Sequence, residues 1–163
     1  GPKVGVPPLQ GVPAAVSGDP DAVSAATLIA QSLGLEPVHV PGDRRLYHAA
    51  AVLAGNFATT LLGEGARALV EAGVDPEIAC RMLAPLALAS IEQAVELGPA
   101  AALTGPFPRA DKRTVAAHLN ALETTLPDLV ALYQELGTRT IRTLSESGRL
   151  SSEDSAHLIR SLE

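Results

Sequence analysis

The chain has 163 residues, of which 47% are hydrophobic and 2% aromatic, with no Trp and a formal net charge of -6; its pI is about 5.2. That length fits one domain, or one small domain with an appendage. The acidic balance argues against nucleic-acid and anionic-membrane binding, both of which need clustered Lys and Arg. With so few aromatics the core must come from Leu, Ala, Val and Ile. Small Ala-rich faces let helices approach closely, so a helix bundle is expected rather than a sandwich. Cys80 is the single cysteine. It excludes an internal disulfide and a Cys-based zinc site, and it fits a cytoplasmic, reducing setting.

No signal peptide is expected, because the first residues carry Lys3 but no apolar stretch. Gly1-Pro2 reads as a protease-cleavage scar, and residues 3–11 are Pro/Gly-rich and irregular. Val12-Pro-Ala-Ala-Val16 reads as a strand whose proline marks its start or an edge. Asp19 is then a good N-cap and Pro20 a good first helical residue. Ala22, Ala25, Ala26, Ile29 and Leu33 share a helical face, and Gly34 ends that helix. Pro37-Val-His-Val40 reads as a second strand, parallel to the first because a helix connects them. Two parallel strands need neighbours on their edges, so further protein or a second copy is expected to cover this unit.

From Arg44 onward the pattern is helical. One long helix is expected from Asp43 to Ala72, then one from Asp75-Pro76 to Leu97 with Gly98 after it. A turn covers Pro99 to Leu103, and an extended Pro/Gly loop runs from Thr104 to Arg109. Asp111 caps a helix to about Glu123, Pro127 opens another to about Ser147, and Ser151-Ser-Glu-Asp154 starts the last. The fold class is mainly α: residues 1–42 form a βαβ segment, and residues 43–163 an all-helical domain. The longest uncharged run, Leu46 to Gly63, approaches membrane-span length. Its His48, Asn56, Thr59 and Thr60 favour a helix of a soluble protein, so no membrane is expected as a partner.

Two segments carry chemistry that folding alone does not require. On the 46–72 helix, His48, Gly55, Asn56, Thr59, Gly63 and Ala66 fall within roughly one third of the circumference, and Leu46, Ala50, Leu53, Phe57, Leu61 and Ala68 lie opposite. The small-polar face suits either a close helix–helix contact or a substrate pocket, in which His48 moves a proton and Asn56 holds a carbonyl or carboxylate. In Thr104-Gly-Pro-Phe-Pro-Arg109-Ala-Asp111, Asp111 is a cap. Arg109 is either a solvated loop residue or, beside a helix N-terminus, part of an anion site.

The remaining motifs are plainer. Gly63-Glu-Gly65-Ala-Arg-Ala68 has the form of a dinucleotide fingerprint, but no strand precedes it, so it is set aside. His39, His118 and His157 read as isolated surface or packing residues. Cys80 reads as a buried small hydrophobe, and Arg139, Arg142 and Arg149 as solvated charges. No metal site is expected.

Leu46-Tyr-His-Ala-Ala-Ala-Val-Leu-Ala-Gly-Asn56, Gly98-Pro-Ala-Ala-Ala-Leu-Thr-Gly-Pro106 and Arg109-Ala-Asp111 resemble the helical domain of Rossmann-like oxidoreductases of the domain of unknown function 2520 family. Residues 18–19 and 34–40 resemble the last βαβ unit of that family's Rossmann domain. The plan is similar to ketopantoate reductase, pyrroline-5-carboxylate reductase and the 6-phosphogluconate dehydrogenase C-terminal-like bundle. The resemblance implies a substrate-binding and dimerisation domain of an NADP- or NAD-dependent reductase acting on a small carbonyl or imine acid. It implies a homodimer and a small anionic substrate. By position, His48 stands where several such enzymes carry a catalytic Lys, and Asn56 where they carry an Asn. Thr59, Thr104, Gly105, Arg109 and Asp111 would hold substrate. No strand–Gly-x-Gly-x-x-Gly–helix occurs in this chain, so no cofactor-binding residue is assigned and no activity is expected of it alone. The alternatives are a non-catalytic helical homodimer module and a small-acid sensor.

Overall fold

The computed structural model describes residues 9–163; the expectations for Gly1-Pro2 and for residues 3–8 lie outside them. Of the described residues 71% are helical, with one small parallel sheet, which makes the fold mainly α. It divides between Phe57 and Ala58 into two compact units.

In the first unit, β1 (Pro13–Val16), α1 (Pro20–Ser32) and β2 (Glu36–His39) form a βαβ unit. The strands are parallel, with Pro13 opposite Glu36 and Val16 opposite His39. Asp19 caps α1 by accepting from the Ala22 N–H at 2.8 Å, and Pro20 sits at the helix start. Gly18 has a φ of +143°, and a Cβ there would come within 2.9 Å of Ala22 Cβ, so only glycine fits this tight entry. Among its described residues, Val16 and Ala30 are the buried apolar ones. The covered flank of α1 is Val23, Ala26, Thr27 and Ala30, whereas Ile29 and Leu33, expected on the inner face, are exposed. The sheet is two strands wide, so it covers only one flank of the helix.

The segment expected as one helix over 43–72 is three pieces: α2 (Arg44–Ala51), a π-helical turn (Val52–Asn56) and α3 (Phe57–Glu71). Asp43 caps α2 through the Arg45 N–H at 2.8 Å. The wider π turn shifts the hydrogen-bond register, so a constant 100° per residue does not carry the two expected faces across it. Leu46, Leu53 and Phe57 are exposed, and so are His48, Gly55, Asn56 and Thr59.

The second unit continues with α4 (Pro76–Leu97), α5 (Pro99–Ala102), α6 (Lys112–Thr125), a 3₁₀ turn (Pro127–Leu129), α7 (Val130–Glu146) and α8 (Ser152–Arg160). Asp75, Asp111 and Ser151 cap α4, α6 and α8 with their side chains. The core lies where α6, α7 and α8 meet: Val115, Leu119, Ile141, Leu144, Leu150, Leu158 and Leu162. Val115, Ile141, Leu144 and Leu158 are fully buried, each contributing about 1.5–3 kcal/mol. Gly137 lets α7 approach closely, since a Cβ there would lie 2.9 Å from a Leu162 methyl and 3.2 Å from the Phe107 ring.

Polar ties finish the unit. Arg67 on α3 bridges Glu64 at 3.0 Å and Asp128 of the 3₁₀ turn at 2.5 Å. Arg149, expected as a solvated charge, donates to the carbonyls of Ala100 and Leu103. A guanidinium there meets carbonyls left open at the end of α5. Cys80, expected to be buried, is exposed. Its neighbour Ala79 takes the inward position on α4 instead.

Candidate functional site

At the carboxyl ends of β1 and β2, the region where open α/β sheets bind ligands, Ala15, Ser17, Val40, Arg44 and Tyr47 line a cavity of about 110 Å³. His48 follows Tyr47 on α2 and is exposed. The π turn begins one helical turn beyond it and closes on Asn56. Such turns concentrate at functional sites because they re-aim side chains within an otherwise regular helix. Asn56 and Thr59 are both exposed and both engaged in interactions of their own.

The remaining expected residues lie in the second unit. The Thr104–Asp111 segment is a coiled turn rather than the expected extended loop. Ala110 N–H donates to the Phe107 carbonyl at 3.0 Å and Asp111 N–H to the Pro106 carbonyl at 2.9 Å. Gly105 takes a φ of 84°, and Ala110, at 51°, is the one non-glycine residue with positive φ among those described. Phe107 turns inward against the core and meets Tyr133 with ring centroids 6.3 Å apart. Thr104 and Arg109 stay exposed.

Both carboxylate oxygens of Asp111 are held by Thr114, one by its N–H at 3.1 Å and one by its hydroxyl at 2.7 Å. These bonds, with the charges of Arg113 and Arg109, keep the Asp111 carboxyl below the usual carboxylate range. Asp111 therefore occupies the α6 N-terminus itself. An external anion would meet the exposed Arg109, Lys112 and Arg113 side chains instead.

Sequence reasoning missed a groove in the second unit. In the second unit, α3, α6 and α7 wall an open groove of about 490 Å³, lined by Leu61, Leu122, Leu126, Leu129, Leu132 and Leu136 among others. Glu64, Glu71 and Thr125 also line it, and its wall carries a polar pair: His118 Nδ1 lies 2.9 Å from the Tyr133 hydroxyl. The signal for this pair was present. His118 and Tyr133 stand almost equidistant from the break at Leu126-Pro127, and an antiparallel helical hairpin brings such positions opposite each other.

Among the described residues, no three or more His, Cys, Asp and Glu side chains group as metal ligands do. Gly63 and Gly65 lie inside α3, where their N–H groups serve the helix and cannot cradle a pyrophosphate.

A small parallel βαβ unit and a mainly helical second unit are the architecture against which the family can be set. The chain matches the family described as Domain of unknown function (DUF2520) over residues 12–140. It belongs to that family. No curated protein and no solved structure matches it.

Proposed function

We propose that this chain is the substrate-binding and dimerisation part of an NADP- or NAD-dependent oxidoreductase, similar in plan to ketopantoate reductase, acting on a small carbonyl or imine acid. The observation that carries the reading is the join between the βαβ unit and the helices. The helix after β2 bears an exposed His48, followed at once by a π turn closing on Asn56. A regular helix gains nothing in stability from such a turn, whereas a site gains a re-aimed amide.

In this reading His48 holds the proton that a reduced carbonyl or imine must receive, and Asn56 orients the substrate, with Thr59 three residues further on. Thr104, Gly105 and Arg109 bind an anionic group, helped by Lys112 and Arg113. Asp111 keeps the start of α6 and its loop in shape. Gly63 and Gly65 lie inside α3 and are not a nucleotide cradle, and no step is assigned to a nucleotide here. The complete enzyme takes its cofactor on a separate strand–Gly-x-Gly-x-x-Gly–helix unit.

Substitution of His48 by Ala in the complete enzyme tests the assignment. Loss of turnover with the fold intact supports it; unchanged turnover removes His48 from the chemistry. A non-catalytic homodimer module is the second reading, and the exposed apolar surface of α4 favours it.

A further inference from the structure

One row along α3 and the residue after it faces the groove: Leu61, Gly65, Ala68 and Ala72, whose spacing keeps them on one side of the helix. All but Leu61 are small. Ala121 on α6 is small too, while α7 contributes leucines to the same groove. The volume of about 490 Å³ is therefore space that larger side chains on α3 and α6 would fill. It falls within the ~300–1,000 Å³ of ordinary small-molecule sites, and like them it sets a few polar groups in an apolar lining.

Those polar groups are unbalanced in charge. Glu64 and Glu71 both line the groove. Two helical turns apart, they lie on one flank of α3, ~10 Å from each other along its axis. The cation placed among them, Arg67, is shared. It bridges Glu64 at 3.0 Å and Asp128 at 2.5 Å, and it also feels Glu71. Three carboxylates thus surround one guanidinium, which leaves negative charge in excess beside an apolar channel. On the α6–α7 wall, the His118–Tyr133 pair adds an imidazole and a phenol oxygen. An anionic ligand is repelled by such an edge, and a plain hydrocarbon leaves it unused. We propose that the groove binds a hydrophobic amine, its apolar chain against the leucines and its protonated amino group at the Glu64–Glu71 edge. An ammonium has three donors and no acceptor, which suits carboxylates. A chain suits this lining better than a flat ring, because the α3 row from Leu61 to Ala72 is roughly 16 Å long. The proposal goes beyond the function above and does not rest on it, since none of the lining residues was assigned there to substrate.

The test is isothermal titration of the native chain with decylamine, and with decanol and decanoate as equal chains bearing other heads. Glu71→Gln removes one carboxylate and Ala121→Leu fills the groove. Both positions are exposed and helical, so the variants should fold, as circular dichroism will show; Ala72→Leu is a second way to fill the groove. Decylamine should bind one to one, about three- to tenfold more tightly than decanol at low salt, with decanoate weakest. Glu71→Gln should weaken decylamine about two- to fivefold and leave decanol unchanged. Salt at about 0.5 M should narrow the gap between decylamine and decanol, because these charges are partly exposed. Ala121→Leu should abolish uptake of both. Equal uptake of the three heads overturns the proposal. So does decylamine binding that Ala121→Leu leaves undiminished, which places the chain elsewhere, as on the exposed Leu86 and Val95 of α4. No uptake of decylamine overturns it too. Sedimentation of the native chain and of Ala121→Leu then gives the reason, since self-association lost in the variant assigns the groove to a second copy.

Discussion

The His118 imidazole meets the Tyr133 ring edge-on, with centroids 6.0 Å apart and Nδ1 2.9 Å from the phenol oxygen. This contact ties α6 to α7 at the wall of the groove. Burial raises the Tyr133 phenol above its ordinary value, because desolvation penalises the phenolate. The folded pKa therefore exceeds the unfolded one. The stability tied to the neutral phenol is complete below the unfolded value of about 10 and is lost as pH rises through the folded value. Tyr133→Phe should remove that part of the alkaline loss. Melting temperatures measured from pH 8 to 11 for both proteins check this; parallel curves would contradict it.

Asp111 titrates in the opposite sense. Its carboxyl is held low, first by Thr114 and then by Arg113 and Arg109. Its contribution is present above the unfolded value near 3.9 and disappears as pH falls through the lower folded value. Asp111→Ala should lower the melting temperature by roughly 2–6 °C at pH 7. Asp111→Asn, which still caps, should cost less there and flatten the acid limb below about pH 4. Thermal melts across that range decide it.

Arg149 closes the end of α5 through the carbonyls of Ala100 and Leu103. Arg149→Met keeps the aliphatic stem and removes the donors, so it should cost about 1 kcal/mol in urea unfolding. It should also speed amide exchange in residues 99–105 ahead of the rest of the unit. Uniform exchange would mean that the clamp does not hold this turn.

Two helix glycines should respond with opposite signs. A Cβ on Gly63 meets nothing within 4 Å, so Gly63→Ala should stabilise by up to about 1 kcal/mol through helix propensity. A Cβ on Gly137 collides with Leu162 and Phe107. There overpacking of about 1–3 kcal/mol outweighs the same propensity gain. Equilibrium unfolding of both variants measures the difference directly.

The parts of the fold legible in the sequence are those decided locally. Asp19-Pro20, Asp75-Pro76, Asp111 and Ser151 mark helix starts because a carboxylate or hydroxyl there satisfies free N–H groups, and each does so here. The parallel strands followed from a helix lying between two short apolar runs. The π turn at Val52–Asn56 was not legible, since hydrophobic period does not report a change of hydrogen-bond register. Arg149 and Cys80 were misread because an exposed or buried fate depends on partners about 49 residues away for the one and on the rotation of α4 for the other. The groove needed three helices placed together, and no single helix pattern announces it. Of the candidate site, His48 and Arg109 were legible as unusual residue types in an Ala/Leu background. The pairing of Asp111 with Thr114 was visible only in part, as a cap.

The central claim concerns His48. The measurement that tests it most directly is NADPH and NADH oxidation by the complete enzyme against a panel of small keto and imino acids, with His48→Ala alongside. The account predicts turnover of at least one such acid, a loss of about 100-fold or more in kcat for His48→Ala, and an unchanged melting temperature because the side chain is exposed. Turnover that survives the substitution undiminished, or a panel in which no acid is reduced, would contradict it.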